Sequence, residues 1–427
     1  MMRTMRDSGI EWIGEIPITW DARRTKELFG TLSGNGLSTD LQADDGIPFY
    51  KAGDISACDK FLEVAKSFVD FSIAEKRSFN IIPAMSIVFA KIGEAMKKNS
   101  RAITTIECCI DNNCQALIPK SIDLGFAYYL LLSIDMRWFD NAGTLPCVSV
   151  YKLMQSLMPY PPLAEQKKIA DFLDGKCAEI DELVQTEEKM IEELKAYKQS
   201  VITEAVTKGL DSAAPMKDSG IEWIGAIPQS WRTMPIKHCC KINLESLKDT
   251  EKDDLLINYI DISSADENGN INFVDEITFL NAPSRARRII RKGDVIISTV
   301  RTYLKVIALI DEKYDGFICS TGFAVLTPLE KVEARFLYYN IYTDSFTSRV
   351  SYYSNGISYP AINSSVLATL HITLPSLDEQ KQIADYLDEK CAKIDEIIAL
   401  RTEQINQLKE YKKSLIYEYV TGKKEVV

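Results

Sequence analysis

The sequence of 427 residues predicts an α+β protein that contains two mixed α/β domains, joined and separated by two long helices. The helices are predicted to pack as an antiparallel coiled coil, with a pseudo-twofold axis relating the two halves of the chain. Three observations lead to this prediction: a short motif that occurs twice, a long segment of helical periodicity that occurs twice, and short apolar runs of strand length between them. The predicted domains are 1–160 and 211–374, and the predicted helices are 161–210 and 375–427.

The short motif marks the beginning of each domain. Asp-Ser-Gly-Ile-Glu-Trp-Ile-Gly begins at Asp7 and again, without any change, at Asp218. Each copy continues as Ile-Pro-x-x-Trp, so the whole motif spans 7–20 and 218–231. Such self-similarity at a fixed spacing indicates a duplicated structural unit.

The stretches that follow the motif differ in sequence but share a faint skeleton. Ile81–Phe89 corresponds to Ile289–Ile297, and Phe126-Ala-Tyr-Tyr129 corresponds to Phe336-Leu-Tyr-Tyr339. Short runs that are rich in Val, Ile and Phe and bounded by Gly, Pro and Asn are typical of strands. We therefore expect a common scaffold that carries different loops.

The long repeat is helical. Pro161–Thr207 and Pro375–Thr421 align without gaps and are identical at 26 of 47 positions. Alternate steps of four and three residues meet an apolar side chain at eight of ten positions in each copy, as in a coiled-coil seam. The alternative, in which each helix packs only on its own domain, remains open. The predicted seam comprises Leu173, Ile180, Val184, Glu187, Ile191 and Leu194 in the first helix and Leu387, Ile394, Ile398, Arg401, Ile405 and Leu408 in the second.

Two charged residues interrupt this seam near its midpoint. Glu187 of the first helix and Arg401 of the second have opposite charges. They lie where antiparallel partners would meet, so we expect them to interact.

The distribution of charge limits the possible partners. The net charge is −11, but residues 161–231 alone carry 14 acidic against 8 basic side chains, and the two large variable stretches are nearly neutral. This pattern argues against a general affinity for polyanions and still allows a local basic face on each domain. The longest apolar run, Leu124–Ile134, is too short to span a bilayer, and the polar amino terminus suggests no export signal. The sequence therefore predicts a cytoplasmic protein with no membrane partner.

The cysteines do not suggest a metal site. Ten Cys residues include no C-x-x-C pair, and the chain has only two His residues. Structural zinc sites usually draw on close thiolate pairs, so we expect no metal. His238-Cys239-Cys240 is the single cluster of interest, and it is better explained as a strand start with small buried thiols.

The order of these segments resembles the DNA-specificity subunits of type I restriction-modification systems. The resemblance covers essentially the whole chain, and its most specific part is P-x-L-x-E-Q-K-x-I-A-D, found at Pro161–Asp171 and Pro375–Asp385. It implies that each variable domain is a target-recognition domain that reads one half of a bipartite, asymmetric site on double-stranded DNA. It also implies that the helices act as a ruler and dock two modification subunits, which carry the methyltransferase, and the restriction motor subunits.

Sequence-specific DNA binding needs side chains that hold phosphates and others that read base edges. Basic residues follow an apolar strand in both domains, and nearby loops carry tyrosines. A basic cluster can also be an ordinary solvated face. The candidates for DNA contact are Lys91, Lys97, Lys98 and Arg101 in the first domain and Arg285, Arg287, Arg288, Arg291, Lys292, Arg301 and Lys305 in the second, with Tyr303, Tyr352, Tyr353, Asn99, Ser100 and Asn355 as loop candidates.

No motif predicts catalysis. The sequence has neither the Asn-Pro-Pro-Tyr type motif and glycine-rich cofactor loop of an adenine methyltransferase nor the P-loop of a motor. We therefore expect a non-catalytic subunit without a cofactor. The alternative is a scaffold whose coiled coil joins two protein-interaction domains. Only a DNA-specificity subunit should bind DNA with sequence preference, so a binding assay distinguishes the two functions.

Overall fold

The computed structural model describes residues 3–141, 146–266 and 269–426. The chain forms two compact units, and the division between them runs through the middle of both long helices. Unit 1 holds the residues up to Glu188 and those from Glu403 onward, and unit 2 holds Lys189–Thr402. Each unit therefore contains one variable domain and one half of each helix. The predicted fold class and duplication are confirmed.

Unit 1 contains two sheets and two separate strand pairs. The larger sheet has the order β4-β12-β9-β10-β7 and the smaller one β11-β6-β8-β5, while β1 pairs with β2 and β3 with β13. The strands are β1 (Met5–Ile10), β2 (Gly14–Pro17), β3 (Asp21–Arg24), β4 (Phe29–Ser33), β5 (Gln42–Ala43), β6 (Ile47–Tyr50), β7 (Phe61–Leu62), β8 (Phe68–Val69), β9 (Ile87–Ala90), β10 (Ala102–Thr104), β11 (Cys109–Ile110), β12 (Cys114–Pro119) and β13 (Leu157–Tyr160). The helices are α1 (Thr25–Leu28), α2 (Ala52–Ala57), α3 (Phe71–Lys76), α4 (Glu94–Lys97), α5 (Leu124–Leu132), α6 (Val150–Gln155) and the long α7 (Leu163–Lys208).

Unit 2 has a related topology, in which one four-stranded sheet corresponds to four of the five strands in the larger sheet of unit 1. Its sheets have the orders β17-β24-β21-β22 and β19-β18-β23-β20, while β14 pairs with β15 and β16 with β25. The strands are β14 (Met216–Asp218), β15 (Ala226–Pro228), β16 (Arg232–Pro235), β17 (Cys240–Ile242), β18 (Leu256–Ile260), β19 (Asp275–Thr278), β20 (Ala286–Ile289), β21 (Val295–Ser298), β22 (Ile307–Leu309), β23 (Ile318–Ser320), β24 (Phe323–Pro328) and β25 (His371–Leu374). The helices are α8 (Ala334–Tyr342), α9 (Asp344–Tyr352), α10 (Ser364–Leu367) and the long α11 (Leu377–Val420).

The strands that correspond between the units are those that the shared sequence skeleton aligned. β9 and β21 lie next to β12 and β24, respectively, and both pairs are antiparallel. All four residues of β9 and all four of β21 are buried. Continuous apolar runs are expected for strands that are covered on both faces. The preserved core explains why these strands keep their apolar character while the loops diverge.

Each variable segment begins and ends on one strand pair. In unit 1, Asp21 of β3 is the register partner of Tyr160 of β13. In unit 2, Arg232 of β16 is the partner of Leu374 of β25. The two ends of each variable segment therefore lie side by side at the base of the domain.

The first conserved element of each unit is a β-hairpin that ends in a buried tryptophan. Trp20 and Trp231 are almost completely buried. Trp20 Nε1 donates to Glu165 Oε2 at 3.0 Å, and Trp231 Nε1 donates to Glu379 Oε1 at 2.9 Å. Buried indole N–H groups require such an acceptor.

The residue after each of these glutamates ties the long helix to the variable domain. The Gln166 side chain accepts from Asp123 N at 2.8 Å, and that of Gln380 accepts from Glu333 N at 2.9 Å. Asp123 and Glu333 are in turn the N-caps of α5 and α8. The Glu-Gln pair occurs in both copies of the helix repeat because each of its side chains accepts a hydrogen bond from the variable domain or its hairpin.

A third conserved contact lies two turns further along each helix. Tyr129 Oη donates to Asp174 Oδ1 at 2.5 Å, and Tyr339 Oη donates to Asp388 Oδ1 at 2.7 Å. Both tyrosines belong to the skeleton Phe-x-Tyr-Tyr that the two domains share. The helix repeat therefore contacts each domain through the same set of side chains.

The halves of the long helices run antiparallel within each unit. In unit 1, Lys412 Nζ lies 2.6 Å from Asp181 Oδ2, and Phe172 packs on Tyr419 with ring centroids 4.5 Å apart. In unit 2, Lys198 Nζ lies 2.7 Å from Asp395 Oδ2. Lys198 and Lys412 occupy equivalent positions in the repeat, as do Asp181 and Asp395. The same ion pair therefore forms once in each unit.

The predicted seam positions lie on the packed side of the helices. Leu173, Ile180, Val184, Leu387, Ile394 and Ile405 are buried, and Ile191, Leu194, Ile398 and Leu408 are half-buried. Glu187 and Arg401 are half-buried as well. They belong to different units, and their mutual contact stays a prediction. Over the described residues, no helix combines the length and apolar character that a membrane crossing requires.

Candidate DNA interface

Two exposed lysines of the first domain lie between β9 and β10. This segment corresponds to the one between β21 and β22 in unit 2. Lys97 ends α4 and pairs with Glu94 at 2.7 Å, and Lys98 follows it on the surface. An exposed pair three residues apart on a helix contributes little to stability, so both lysines remain available to phosphate groups. This arrangement is consistent with their predicted role.

Lys91 is more deeply placed than the sequence suggested. Its Nζ donates to Gln115 Oε1 at 3.1 Å and also to Ser33 Oγ. Burial lowers the pKa of Lys91. Its backbone oxygen accepts from Val148 N at 2.8 Å, which joins the end of β9 to the segment before α6. Lys91 therefore helps to fix the base of a surface loop.

The structure places Arg101, a predicted DNA contact, inside unit 1 and not on its surface. Its side chain is almost completely buried, and its guanidinium lies over the Phe89 ring at 5.4 Å. Nη1 donates to Ser100 O at 2.9 Å, while Nη2 donates to Asn99 Oδ1 at 2.9 Å and to Ile134 O at 3.2 Å. Burial lowers the pKa of Arg101 to about 9. Arg101 is a core residue of unit 1.

The loop candidates Asn99 and Ser100 serve the same internal arrangement. Asn99 has a φ of 54°, and its side chain donates to Ile134 O at 3.0 Å and accepts from Met136 N at 3.1 Å. A left-handed conformation is one that Asn adopts more readily than most residues. The Asn99 side chain therefore bonds within unit 1 instead of facing outward.

The basic run on β20 does not form one patch. Arg285 lies before the strand and pairs with Asp261 at 2.7 Å, and Arg287 lies 3.4 Å from Asp249. Beyond the other end of β20, Arg291 pairs with Glu245 at 2.7 Å, and Lys292 pairs with Glu312. At about 3.3 Å per residue, the six steps from Arg285 to Arg291 cover roughly 20 Å.

Most of these cations already have exposed acidic partners. Exposed ion pairs are worth little, because both groups are well solvated when they separate. A DNA phosphate is therefore able to replace Asp249 or Glu245 at low cost, whereas Asp261, the partner of Arg285, is largely buried. Arg288 differs, since burial lowers its pKa and no described group accepts from its Nε. Arg288 is therefore partly buried in unit 2.

Two loops that are distant in sequence meet at one end of unit 2, and we call them the tip loops: residues 299–305 after β21 and residues 353–362 after α9. Arg301 N donates to Pro360 O at 2.7 Å, and Thr302 Oγ1 lies 2.8 Å from Ser354 Oγ. Val300 and Ala361 form a β-bridge. The tip loops bring together six candidates, namely Arg301, Tyr303, Lys305, Asn355 and, at the end of α9, Tyr352 and Tyr353.

Several exposed side chains on the tip loops and at the end of α9 are aromatic or basic. Tyr303, Tyr352 and Tyr353 are exposed. The Arg301 guanidinium lies 4.8 Å from the centre of the Tyr359 ring, and Lys305 pairs with Asp344 at 2.7 Å. Stacking of arginine on an aromatic ring orients the guanidinium and leaves its edge free to donate hydrogen bonds.

Arg285 belongs to the same end of the unit as the tip loops. The backbone oxygen of Arg285 accepts from Thr321 N at 2.7 Å. Gly322 follows Thr321 in the chain, and its backbone oxygen accepts from Thr299 N at 2.7 Å. A continuous hydrogen-bonded path therefore joins Arg285 to the first tip loop. This end of unit 2 combines the basic and aromatic candidates most densely.

Sequence reasoning missed two residues of the second tip loop. Ile357 is fully exposed, and Tyr359 is exposed and stacked by Arg301. Asn355-Gly356 in front of them is a turn signal, and an apolar residue directly after such a turn was the available clue. The signal was weak, since single exposed apolar residues are common.

No site for a metal or a reactive thiol stands out in the described residues. They contain no group of three or more His, Cys, Asp or Glu side chains with the geometry to hold an ion. Cys239 and Cys240 are buried, as predicted for that cluster, and burial raises the pKa of Cys240 to about 12. These thiols are core residues.

Comparison with known proteins agrees with the duplicated architecture. A family model described as type I restriction modification DNA specificity domain matches residues 17–196 and again residues 228–410. The MjaX specificity subunit, a putative type I restriction enzyme subunit of Methanocaldococcus jannaschii, is 26% identical over 96% of this chain and 95% of its own. The MjaVIII specificity subunit of the same organism is 27% identical over 70% of each chain.

Solved structures support the fold. A chain from a structural study of complex assembly and conformational transition of the type I restriction-modification system covers 95% of this chain and 99% of its own, with a TM-score of 0.69 and 17% identity. The HsdS subunit from Thermoanaerobacter tengcongensis covers 95% of this chain and 98% of its own, with a TM-score of 0.50 and 17% identity.

Proposed function

This chain belongs to the type I restriction-modification DNA specificity family, and we propose that it is the DNA-reading subunit of such a system. Each unit reads one half of a bipartite, asymmetric target in double-stranded DNA. The long helices set the separation of the halves and dock two modification subunits together with the restriction motor subunits. The chain itself performs no catalysis and acts in the cytoplasm.

The observation that carries this proposal is one scaffold with two different loop surfaces. The sheet orders β4-β12-β9-β10 and β17-β24-β21-β22 are equivalent, and the same Trp, Gln and Asp contacts join each domain to the helix repeat. The exposed basic and aromatic side chains of the loops differ between the units. A conserved frame with variable exposed loops is the arrangement expected when two different sequences are read in the same way.

The test exchanges one variable segment. Residues 232–374 are replaced by the equivalent segment of a relative, because Arg232 and Leu374 are register partners and both junctions then fall within β16 and β25. Sequencing of methylated adenines in cells that express the chimera with its modification and restriction subunits should show one altered half-site and one unchanged half-site. The matched control exchanges residues 21–160, whose ends are also register partners, and should alter the other half.

Three outcomes contradict parts of the proposal. A chimera that changes both half-sites contradicts the assignment of one half to each unit. Binding of the wild-type complex to DNA without sequence preference favours a scaffold that joins two interaction domains. Methyl transfer by the purified chain alone, with a methyl donor and no modification subunit, contradicts the non-catalytic role.

A further inference from the structure

The second tip loop is a closed loop that holds an apolar side chain away from the protein. Asn355 N donates to Ala361 O and Ala361 N donates to Asn355 O, both at 2.9 Å, so the five residues between them form a loop closed at its base. Gly356 has a φ of 115°, and a Cβ at this position would lie 3.0 Å from Tyr359 O. The glycine is therefore required for this conformation, and Ile357 at the tip is fully exposed.

The neighbouring loop reinforces this conformation. Arg301 and Lys305, with φ values of 52° and 50°, flank the turn Thr302–Leu304 in left-handed conformations. Non-glycine residues persist in such conformations only where the surroundings fix them, and they are found preferentially at functional sites. Thr302 is buried beneath the turn, while Tyr303 and Leu304 are exposed above it. The tip is held in place from two sides.

An isolated exposed isoleucine needs no explanation, but this one lies within a cluster. Tyr303, Leu304, Tyr352 and Tyr359 are all exposed on the same two loops or at the end of α9. Soluble proteins rarely expose several large apolar side chains together unless the surface binds something. Arg301 and Lys305 lie among them, which favours an anionic partner that also offers an apolar surface.

We propose that Ile357 is inserted between adjacent base pairs when unit 2 binds its half-site, with Tyr359 and Arg301 supporting it at the edge of the opened step. This inference rests on the proposed function and names the way in which unit 2 engages DNA. Stacked bases are the apolar part of DNA, and Ile, Leu, Phe, Met and Pro are the residues that proteins use as wedges between base steps. The phosphates on either side of such a step match the cations Arg301 and Lys305.

A wedge also gives sequence preference without hydrogen bonds to bases. Pyrimidine–purine steps unstack and kink more easily than others, so the cost of insertion depends on the step. The second half-site should therefore favour such a step at the position of Ile357, even where no side chain donates or accepts a hydrogen bond.

The experiment uses the complete complex with both modification subunits and a duplex that contains the target. Ile357→Ala and Ile357→Ser remove the wedge, and Ile357→Leu preserves it. Leu280→Ser is the control, because Leu280 is also a large apolar side chain, is 68% exposed and lies on a turn of unit 2 outside the tip loops. Affinity is measured by titration, and unstacking is measured by the fluorescence of 2-aminopurine placed at each successive step of the second half-site.

The wild-type complex should show enhanced fluorescence at one step. Ile357→Ala and Ile357→Ser should abolish this enhancement and weaken specific binding by about tenfold, while Ile357→Leu and Leu280→Ser should behave like the wild type. All variants should assemble with the modification subunits to the same extent, as measured by native mass spectrometry.

Three results overturn the inference. Unchanged fluorescence in the Ala and Ser variants, with or without weaker binding, means that Ile357 is not inserted. Absence of any fluorescent step in a wild-type complex that binds its target has the same meaning. Loss of assembly in the Ser variant means that the tip loops contact a protein subunit. If the wild-type complex has no sequence preference at all, the proposed function itself fails.

Discussion

Arg101 and Arg301 show how one residue type serves two purposes at related places in the fold. Both lie in the segment that follows a strand shared by the two domains. Arg101 lies between β9 and β10, and Arg301 lies between β21 and β22. Arg101 turns inward, because Asn99 in its left-handed conformation and the carbonyl of Ile134 offer acceptors beneath the surface. Arg301 turns outward and stacks on Tyr359. The sequence predicted a DNA contact for each arginine but contained no signal for whether the side chain turns inward or outward. That orientation depends on loops that differ between the domains.

Replacement of Arg101 should affect stability and leave DNA binding electrostatics intact. Arg101→Ala removes all three hydrogen bonds that the buried guanidinium donates, to Ser100 O, Asn99 Oδ1 and Ile134 O. We expect unit 1 to lose about 3 kcal/mol of unfolding free energy, as measured by chemical denaturation. The slope of log affinity against log salt concentration should not change. Lys97→Ala is the control, and it should leave the stability nearly unchanged and reduce that slope by about 1 if Lys97 holds a phosphate.

A change in the salt slope of the Arg101 variant that exceeds the change in the Lys97 variant would contradict this assignment. It would mean that the buried guanidinium reaches the phosphates in the bound state.

At the scale of elements, the helix repeat was the most predictable part of the molecule. Its periodicity predicted the seam, with an apolar side chain at eight of ten positions in each copy. The sequence did not reveal the register, because a seven-residue repeat pairs equally well after a shift of one heptad. The pairs Lys198–Asp395 and Lys412–Asp181 select one register, and each joins a residue of α7 to a residue of α11.

Reversal of one of these ion pairs should show that it specifies the register. Lys198→Glu places two carboxylates together in a partly buried position, and we expect a loss of about 1 to 2 kcal/mol in unfolding free energy. The double change Lys198→Glu with Asp395→Lys should recover most of that loss. Lys195→Glu is the control, because Lys195 is exposed on the same helix and pairs only with Glu192. A double-mutant cycle analyses the coupling.

Additive effects in that cycle would mean that the pair does not contribute to the packing of the helices. The equivalent pair Lys412–Asp181 provides an internal repetition of the test in unit 1. The same design applies to Glu187 and Arg401.

At the scale of the whole molecule, the duplication and the fold class followed from the sequence alone. The spacing of the two motifs and the gapless helix repeat were sufficient, because self-similarity needs no knowledge of the packing. The residues at the tip of unit 2 did not follow as readily. Ile357 and Arg301 are 56 positions apart in the sequence, and their loops are joined by the pairing of Ala361 with Val300 and with Asn355.

The ruler role predicts that longer helices favour a longer spacer. Inserting seven residues after Glu187 and seven after Arg401 keeps the heptad phase, and both positions lie within two residues of the division between the units. Each helix then gains about 10 Å, or about three base pairs at about 3.4 Å each. The preferred spacer should lengthen by up to that amount, as determined by selecting bound sequences from a library with variable spacers.

Inserting four residues instead breaks the heptad phase, and this variant should mainly lose stability. A folded seven-residue variant that still selects the original spacer would show that something other than the helices sets the separation.

The three contacts between helix and domain have an evolutionary consequence. Glu165, Gln166 and Asp174 are supplied by α7, and their counterparts Glu379, Gln380 and Asp388 by α11, so the helix provides a constant connector. The tryptophan directly precedes the variable segment, so an incoming segment needs an acidic cap on its internal helix and a tyrosine six residues after that cap. All the remaining surface is free to drift or to be inherited as a block from another gene. New DNA specificities are therefore accessible by recombination at the base of a domain, without any compensating change in the helices or in the proteins that assemble on them.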